Sequence, residues 1–304
     1  MIAGYLWYGS KALDPTSTNQ VTFVIRPGEG LNSITKKLDK EKLIKSRVVF
    51  YLRIKQLGIE NKIQAGTYKL SSSQNADDIA KSLTKGTDDI WVRIIEGLRK
   101  EEIASILNQK LGISEAEFLD GAIEGKLFPD TYLVPKDYTA DQMRQLLFTT
   151  FSKKYASIMT DVARSKMDDS TILTLASIVQ KEAKKYEDML TVASILKKRI
   201  AQDWALEVDA TIQYALGYDK KLKTWWRPNL YSEDLAIESL YNSRKRKGLP
   251  PTPICNPGLS AIKSVIESPD DTPYWFYISN KDGSEMHFAK TLDEHNANIE
   301  KYLR

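Results

Sequence analysis

The chain has 304 residues, enough for two domains, and its 42% hydrophobic and 28% charged residues are ordinary for a soluble globular protein, which excludes disordered and fibrous classes. The net charge of +4 comes from 44 basic and 40 acidic residues spread along the chain, so no nucleic-acid-binding stripe is announced, although a mild preference for an anionic surface or polymer is compatible with it. A single cysteine, Cys255, excludes an intrachain disulfide and leaves the compartment open.

Residues 1–8 are apolar and end in aromatics, and the polar stretch that follows reads as a linker to about residue 20. Eight residues cannot span a bilayer. Two readings stay open: the outer end of a membrane helix, with Tyr5, Trp7 and Tyr8 at the lipid boundary, or a terminal segment packed on a domain. No signal peptide is recognisable. Residues 21–25 (VTFVI) predict a strand stopped by Pro27-Gly28. Helical spacing from Leu31 to Leu38, a helix starting at Ser46 and a strand over 66–70 complete a strand–helix–helix–strand unit. A short helix through Ile79 and Leu83 ends at Gly86.

A strand over 91–95 opens a second block, and Glu96-Gly97-Leu98 echoes Glu29-Gly30-Leu31, a weak repeat explained equally well by a common strand–glycine–helix join. Capping boxes at 114–117 and 139–142 predict helix starts. Between them, two prolines and a glycine in 125–135 predict an ordered, aromatic-rich loop.

The stretch 171–183 predicts a buried helix capped by Ser170 or Thr171, with apolar residues at 172, 175, 176 and 179 on one face. Glu182 falls on that face. A carboxyl against an apolar wall stays protonated near neutral pH, as a general acid must. The alternative is that Glu182 marks the helix end at solvent, with Lys185 as its partner. Met189, Val192, Ala193, Leu196 and Ile200 predict a second helix beside the first. The proline-rich stretch 248–258 predicts an extended, rigid loop. Residues 274–278 predict a strand turning at 280–283, and a closing helix runs over 292–302.

The residue inventory restricts the chemistry. Cys255 lies among prolines with no activating neighbour, and two histidines eight residues apart cannot share a helix face for zinc. No metal and no cofactor is implied: there is no Walker loop and no dinucleotide fingerprint. Carboxylate chemistry remains, with Tyr214, Trp225, Trp226 and Tyr241 as either sugar platforms or core residues.

Several motifs in order then resemble one family. They are Leu127-Phe128-Pro129-Asp130-Thr131-Tyr132, Ala176-Ser177-Ile178-Val179-Gln180-Lys181-Glu182, Leu206-Glu207-Val208-Asp209-Ala210-Thr211, Tyr241-Asn242-Ser243 with Gly248-Leu249-Pro250-Pro251, and Thr291-Leu292-Asp293-Glu294-His295-Asn296. Together they resemble the MltG/YceG-like endolytic murein transglycosylases of bacteria, and the resemblance covers nearly the whole chain. It implies an α+β protein in three parts: a membrane tether and linker over 1–20, a LysM-like strand–helix–helix–strand module over 21–90, and a mixed α+β catalytic domain over 91–304. It further implies an enzyme, a peptidoglycan lytic transglycosylase, that cleaves the MurNAc–GlcNAc bond within glycan strands and leaves 1,6-anhydroMurNAc ends. The family's catalytic glutamate maps onto Glu182, acting as acid and then base. Glu187, Glu207, Asp209, Thr211 and Asn242, in or beside the motifs, are candidates for sugar binding. The implied partners are peptidoglycan glycan strands and cell-wall synthesis machinery, with no nucleic acid. The implied location is the inner membrane, single-pass, with the catalytic domain extracytoplasmic. Departures from the family pattern are Gln180 for Glu, Glu207 for Gln and Ala210 for Pro, and Glu207 raises the question of hydrolysis. A non-catalytic peptidoglycan-binding or division scaffold is the competing reading.

Overall fold

The computed structural model describes residues 2–86 and 89–303, and the chain divides into two units. The first comprises residues up to 93 together with Thr131–Tyr138, so the chain leaves it at Ile94 and returns for one strand.

In this first unit the strand–helix–helix–strand order is β1 (Val21–Ile25), α2 (Leu31–Lys40), α3 (Arg47–Leu57) and β2 (Gly66–Leu70), preceded by α1 (Ile2–Gly9). β1 and β2 pair antiparallel with Phe23 opposite Tyr68. Alternation turns Phe23, Ile25, Tyr68 and Leu70 inward onto Leu38, Phe50 and Ile54 from the helices. Each such side chain contributes on the order of 2 kcal/mol by leaving water. The Ser46 hydroxyl accepts from the Val49 amide and starts α3, and Gly58, at φ 63°, ends it in the left-handed conformation. α4 (Ala76–Lys85) follows, capped by the Asn75 side chain. β3 (Asp89–Arg93) then pairs antiparallel with β4 (Thr131–Pro135).

β4 corrects the expectation of an irregular loop through residue 135. Thr131, Tyr132 and Val134 are strand formers, and Pro135 sits at the strand end where no further pairing is needed. The echo between Gly30 and Gly97 does not extend to the backbone: Gly30 is the N-cap of α2 at φ −72°, whereas Gly97 is left-handed at φ 80°. α1 has 8 residues, about 12 Å of helix, and no described helix is long and apolar enough to cross a membrane.

The second unit is mainly helical. In chain order it contains α5 (Lys100–Leu111), α6 (Glu115–Leu119), α7 (Ala140–Ala156), α8 (Met159–Ser165), α9 (Asp169–Glu182), α10 (Tyr186–Ala201), α11 (Asp209–Leu216), α12 (Ser232–Leu235) and α13 (Leu259–Glu267). The hairpin β5 (Phe276–Ser279) and β6 (Met286–Ala289) and then α14 (Leu292–Tyr302) complete it. α9 is the central element. Every residue from Ile172 to Val179 is buried, because α10 and α13 pack on it and α11 approaches as well. Its start lies earlier than Ser170: the Asp168 carboxylate accepts from the Thr171 amide at 2.9 Å and from the Thr171 hydroxyl at 2.7 Å. An ionised cap at the positive helix end holds the first turn that a later serine would have left open.

Candidate active site

Glu182 is the last residue of α9, and Ala183 after it is extended. The helix therefore delivers the carboxyl to an edge instead of continuing beneath it. The edge is one wall of a groove of about 720 Å³, lined by Glu96, Gly97, the run from Gln180 to Lys185, and residues of the β5–β6 hairpin including Ser279 and Met286. Burial pushes the Glu182 carboxyl up to about 7. The Tyr277 hydroxyl, on β5, opposes burial by favouring the charged form; the charge of Asp209 adds to it, and Arg199 and Lys181 work against it. Lys185, the alternative partner, lies outside the helix as the N-cap of α10.

A carboxyl with this environment changes protonation near neutral pH, and its effect on stability has a definite sign. Below pH 4.5 the group is neutral in folded and unfolded chains alike. Between 4.5 and about 7 the unfolded chain has lost the proton that the folded chain retains, so stability falls as pH rises through this window. The Tm of Glu182→Gln minus that of the wild type should therefore grow from pH 4 to pH 8, measured by thermal melts. A difference independent of pH would contradict the raised pKa.

The other sequence-derived candidates divide into two groups. Asp209 opens α11, bonds Arg244 at 2.8 Å and acts electrostatically on Glu182. Glu207 sits beside it in the chain at φ 56°, with its amide donating to the Ser243 carbonyl and its carboxylate 3.9 Å from Arg199. Glu187 is exposed in the first turn of α10, and its neighbour Asp188 is the one that lines the groove. Thr211 and Asn242 are fully buried. The Thr211 hydroxyl is 2.7 Å from the Val208 carbonyl and 2.8 Å from Ser243 Oγ, and the Asn242 amide donates to the Leu235 and Ile237 carbonyls. Thr211 fastens the Ser243 loop to the start of α11 and Asn242 fastens it to the end of α12, and both side chains are fully buried rather than facing a ligand.

The departures from the family motifs have local explanations. Gln180 Oε1 accepts from the Gly258 amide at 2.9 Å, a bond that a glutamine carbonyl makes without bringing a second charge near Glu182. Ala210 is buried in the first turn of α11, where proline is also tolerated.

Several contributing residues were not singled out by sequence. Arg199 is 5% exposed; its guanidinium donates to the Trp275 carbonyl at 2.7 and 3.1 Å and to the Leu206 carbonyl at 2.6 Å. It thereby ties the strand that carries Tyr277 and the loop that carries Glu207 to α10. A signal existed: Arg199 falls on the same helical face as Val192 and Leu196, where a charge has no place unless it is bonded. Ser177, a polar residue inside the apolar run of α9, carries a similar signal. Its hydroxyl accepts from the Ile254 amide at 2.9 Å and holds the proline-rich loop on the helix. Tyr277 had no such signal, because an aromatic in a strand is ordinary.

The tryptophan and tyrosine faces are partly used by the protein itself. Arg99 lies over Tyr214 at 4.0 Å and over Trp225 at 4.5 Å, and Lys181 lies over Trp226 at 3.5 Å. Cys255 is buried and its thiol is pushed upward by burial, away from thiolate chemistry. Among the described residues no group of three or more His, Cys, Asp or Glu could hold a metal ion.

The chain is 28% identical to the endolytic murein transglycosylase of Bacillus subtilis (strain 168), over 100% of this chain and 91% of the relative. It is 25% identical to the endolytic murein transglycosylase of Streptococcus pneumoniae serotype 2 (strain D39 / NCTC 7466), over 96% of this chain and 60% of that longer protein. A crystal structure of a YceG-like protein from Listeria monocytogenes superposes with a TM-score of 0.61 at 27% identity, covering 92% of this chain and 99% of that one. Residues 23–301 match the YceG-like family, from the first strand to the closing helix, and the chain belongs to that family.

Proposed function

We propose that this chain is an endolytic lytic transglycosylase that cleaves the MurNAc–GlcNAc bond within peptidoglycan glycan strands. The observation that carries the reading is the Glu182 carboxyl at the groove wall, held near pKa 7. The names of the B. subtilis and S. pneumoniae relatives support the substrate. In the first step protonated Glu182 gives its proton to the glycosidic oxygen as the bond from C1 to that oxygen breaks. In the second, the Glu182 carboxylate takes the proton of the sugar's own C6 hydroxyl, whose oxygen bonds to C1 and leaves a 1,6-anhydroMurNAc end. No water is consumed, and the acid is regenerated. A carboxyl near pKa 7 suits both halves, since neither protonation state dominates at neutral pH. Ordinary glycosidases need a second carboxylate as nucleophile or as base for water. Here Asp209 is paired with Arg244 and Glu207 lies near Arg199.

Asp209 then serves by keeping Glu182 protonated, Tyr277 and Arg199 by stabilising its carboxylate, and Glu207 and Glu187 remain available to sugar hydroxyls from exposed positions. The order of β1, α2, α3 and β2 supports a LysM-like module that holds glycan. Mass spectrometry of digested glycan strands tests the whole reading. Anhydro ends are expected; reducing ends would indicate a hydrolase, and intact strands would favour a binding scaffold.

A single-pass tether in the inner membrane, with this chain extracytoplasmic, is part of the proposal. Tyr5, Trp7 and Tyr8, all more than half exposed on α1, suit a lipid boundary. The native protein should resist extraction from membranes by high salt and yield to detergent; release by salt alone would remove the tether.

A further inference from the structure

Away from Glu182, the second unit buries another carboxyl that the mechanism does not use. Glu124, 7% exposed, lies in the turn before Leu127. Its Oε1 accepts from Asn256 Nδ2 at 2.6 Å and from the Lys100 amide at 3.1 Å, while Oε2 is 3.2 Å from that amide and 3.5 Å from the Tyr214 hydroxyl.

Asn256 is itself fully buried and bonded at every polar atom. Its Nδ2 also donates to the Leu98 carbonyl at 3.1 Å, and its Oδ1 accepts from the Leu127 amide at 2.9 Å. Its backbone amide donates to the Leu98 carbonyl at 2.8 Å, and its carbonyl accepts from the Gly97 amide at 2.9 Å. Two residues to either side the same loop grips α9, through Ile254 to Ser177 and through Gly258 to Gln180. Glu96 and Gly97, which line the groove, are thereby joined to the last turns of the helix that ends in Glu182.

We propose that Glu124 is a positioning residue for Glu182, acting through Asn256 to fix the 96–98 and 254–258 loops against the end of α9. This rests on the reading of Glu182 as the acid and base. Removing the Glu124 side chain leaves Asn256 Nδ2 and the Lys100 amide short of an acceptor in a buried place, so both loops gain freedom at the groove wall. Burial pushes the Glu124 carboxyl up to about 8, so the neutral acid prevails at pH 7. A neutral acid has one accepting oxygen and one donating O–H. Oε1 takes the two closest donors, Asn256 Nδ2 and the Lys100 amide, and Oε2 has only the longer contacts, from the same amide at 3.2 Å and from the Tyr214 hydroxyl at 3.5 Å. Glutamine keeps the two closest contacts through its carbonyl, toward Asn256 Nδ2 and the Lys100 amide, and is neutral as the acid is, whereas alanine supplies no acceptor.

The test uses the full chain on isolated glycan strands, reading anhydro ends at pH 6.5. Glu124→Ala should lower kcat by 10-fold or more with KM changed less than 3-fold, because Glu124 and Asn256 lie behind the groove wall and are not among the residues that line it. Glu124→Gln should restore kcat to within 3-fold of wild type. Hydrogen exchange at 96–98 and 254–258 should quicken in the alanine variant and return to normal in the glutamine variant. Glu124→Ala with unchanged kcat, or Glu124→Gln as impaired as Glu124→Ala, overturns the proposal. Should the alanine variant fail to fold, the glutamine comparison and Asn256→Asp, which replaces a donor by a second acceptor facing Glu124 and should lower kcat alike, still decide it. Glu182→Gln run in parallel separates the two readings: anhydro ends from that variant remove the acid itself, whereas an inactive Glu182→Gln beside a fully active Glu124→Ala removes only the brace.

Discussion

Glu182→Gln is expected to fold as the wild type does and to release anhydro-ended fragments at a rate lower by about 10²–10⁴, the range over which a positioned proton donor contributes. The amide has nearly the same shape, so the helix end and groove wall persist. It can neither give a proton to the leaving oxygen nor take one from the C6 hydroxyl, so both halves of the reaction fail in one substitution. The carboxyl sits near pKa 7 because burial disfavours its charge. The variant should therefore also be more stable at alkaline pH, which separates lost chemistry from lost structure. Chromatography of glycan fragments with mass detection measures the first effect and thermal melts the second. Wild-type-like release of anhydro ends would remove Glu182 from the mechanism.

The largest expected loss of stability comes from Arg199→Met. Methionine fills much of the channel occupied by the arginine stem, so packing changes little. The Leu206 and Trp275 carbonyls lose their donors inside the protein. At about 1–3 kcal/mol for each of the two carbonyls left unpaired, the variant should lose roughly 2–6 kcal/mol. Denaturant unfolding should show a lower midpoint with an unchanged slope. A second consequence reaches the site. Arg199 favours the charged form of Glu182, so its removal raises that carboxyl further and moves the alkaline limb of the activity profile to higher pH. Stability equal to the wild type would mean that water replaces the guanidinium without cost.

What could be read from the chain and what could not follows a physical division. Helices with a clear apolar stripe, such as α2 and α10, and strands with alternating burial, such as β1, are legible because periodicity is local and a single face decides it. The start of α9 was misplaced because Asp168, Ser170 and Thr171 are all able caps, and only geometry chooses among them. β4 is hidden for a different reason: Pro129 precedes it, Pro135 is its last residue, and its partner β3 lies nearly forty residues away or more.

The sequence by itself determined that an apolar helix ends in a carboxylate, and that an ordered set of motifs resembles one family. Both depend on residue type and spacing along one chain. Only the tertiary structure decided what surrounds that carboxylate. Tyr277, Arg199 and Asp209 come from three separate segments to set its charge, while Thr211 and Asn242, equally polar in sequence, turn inward and close their bonds on the backbone. A pKa is the balance of burial against neighbouring charges, and both quantities exist only once distant segments are brought together.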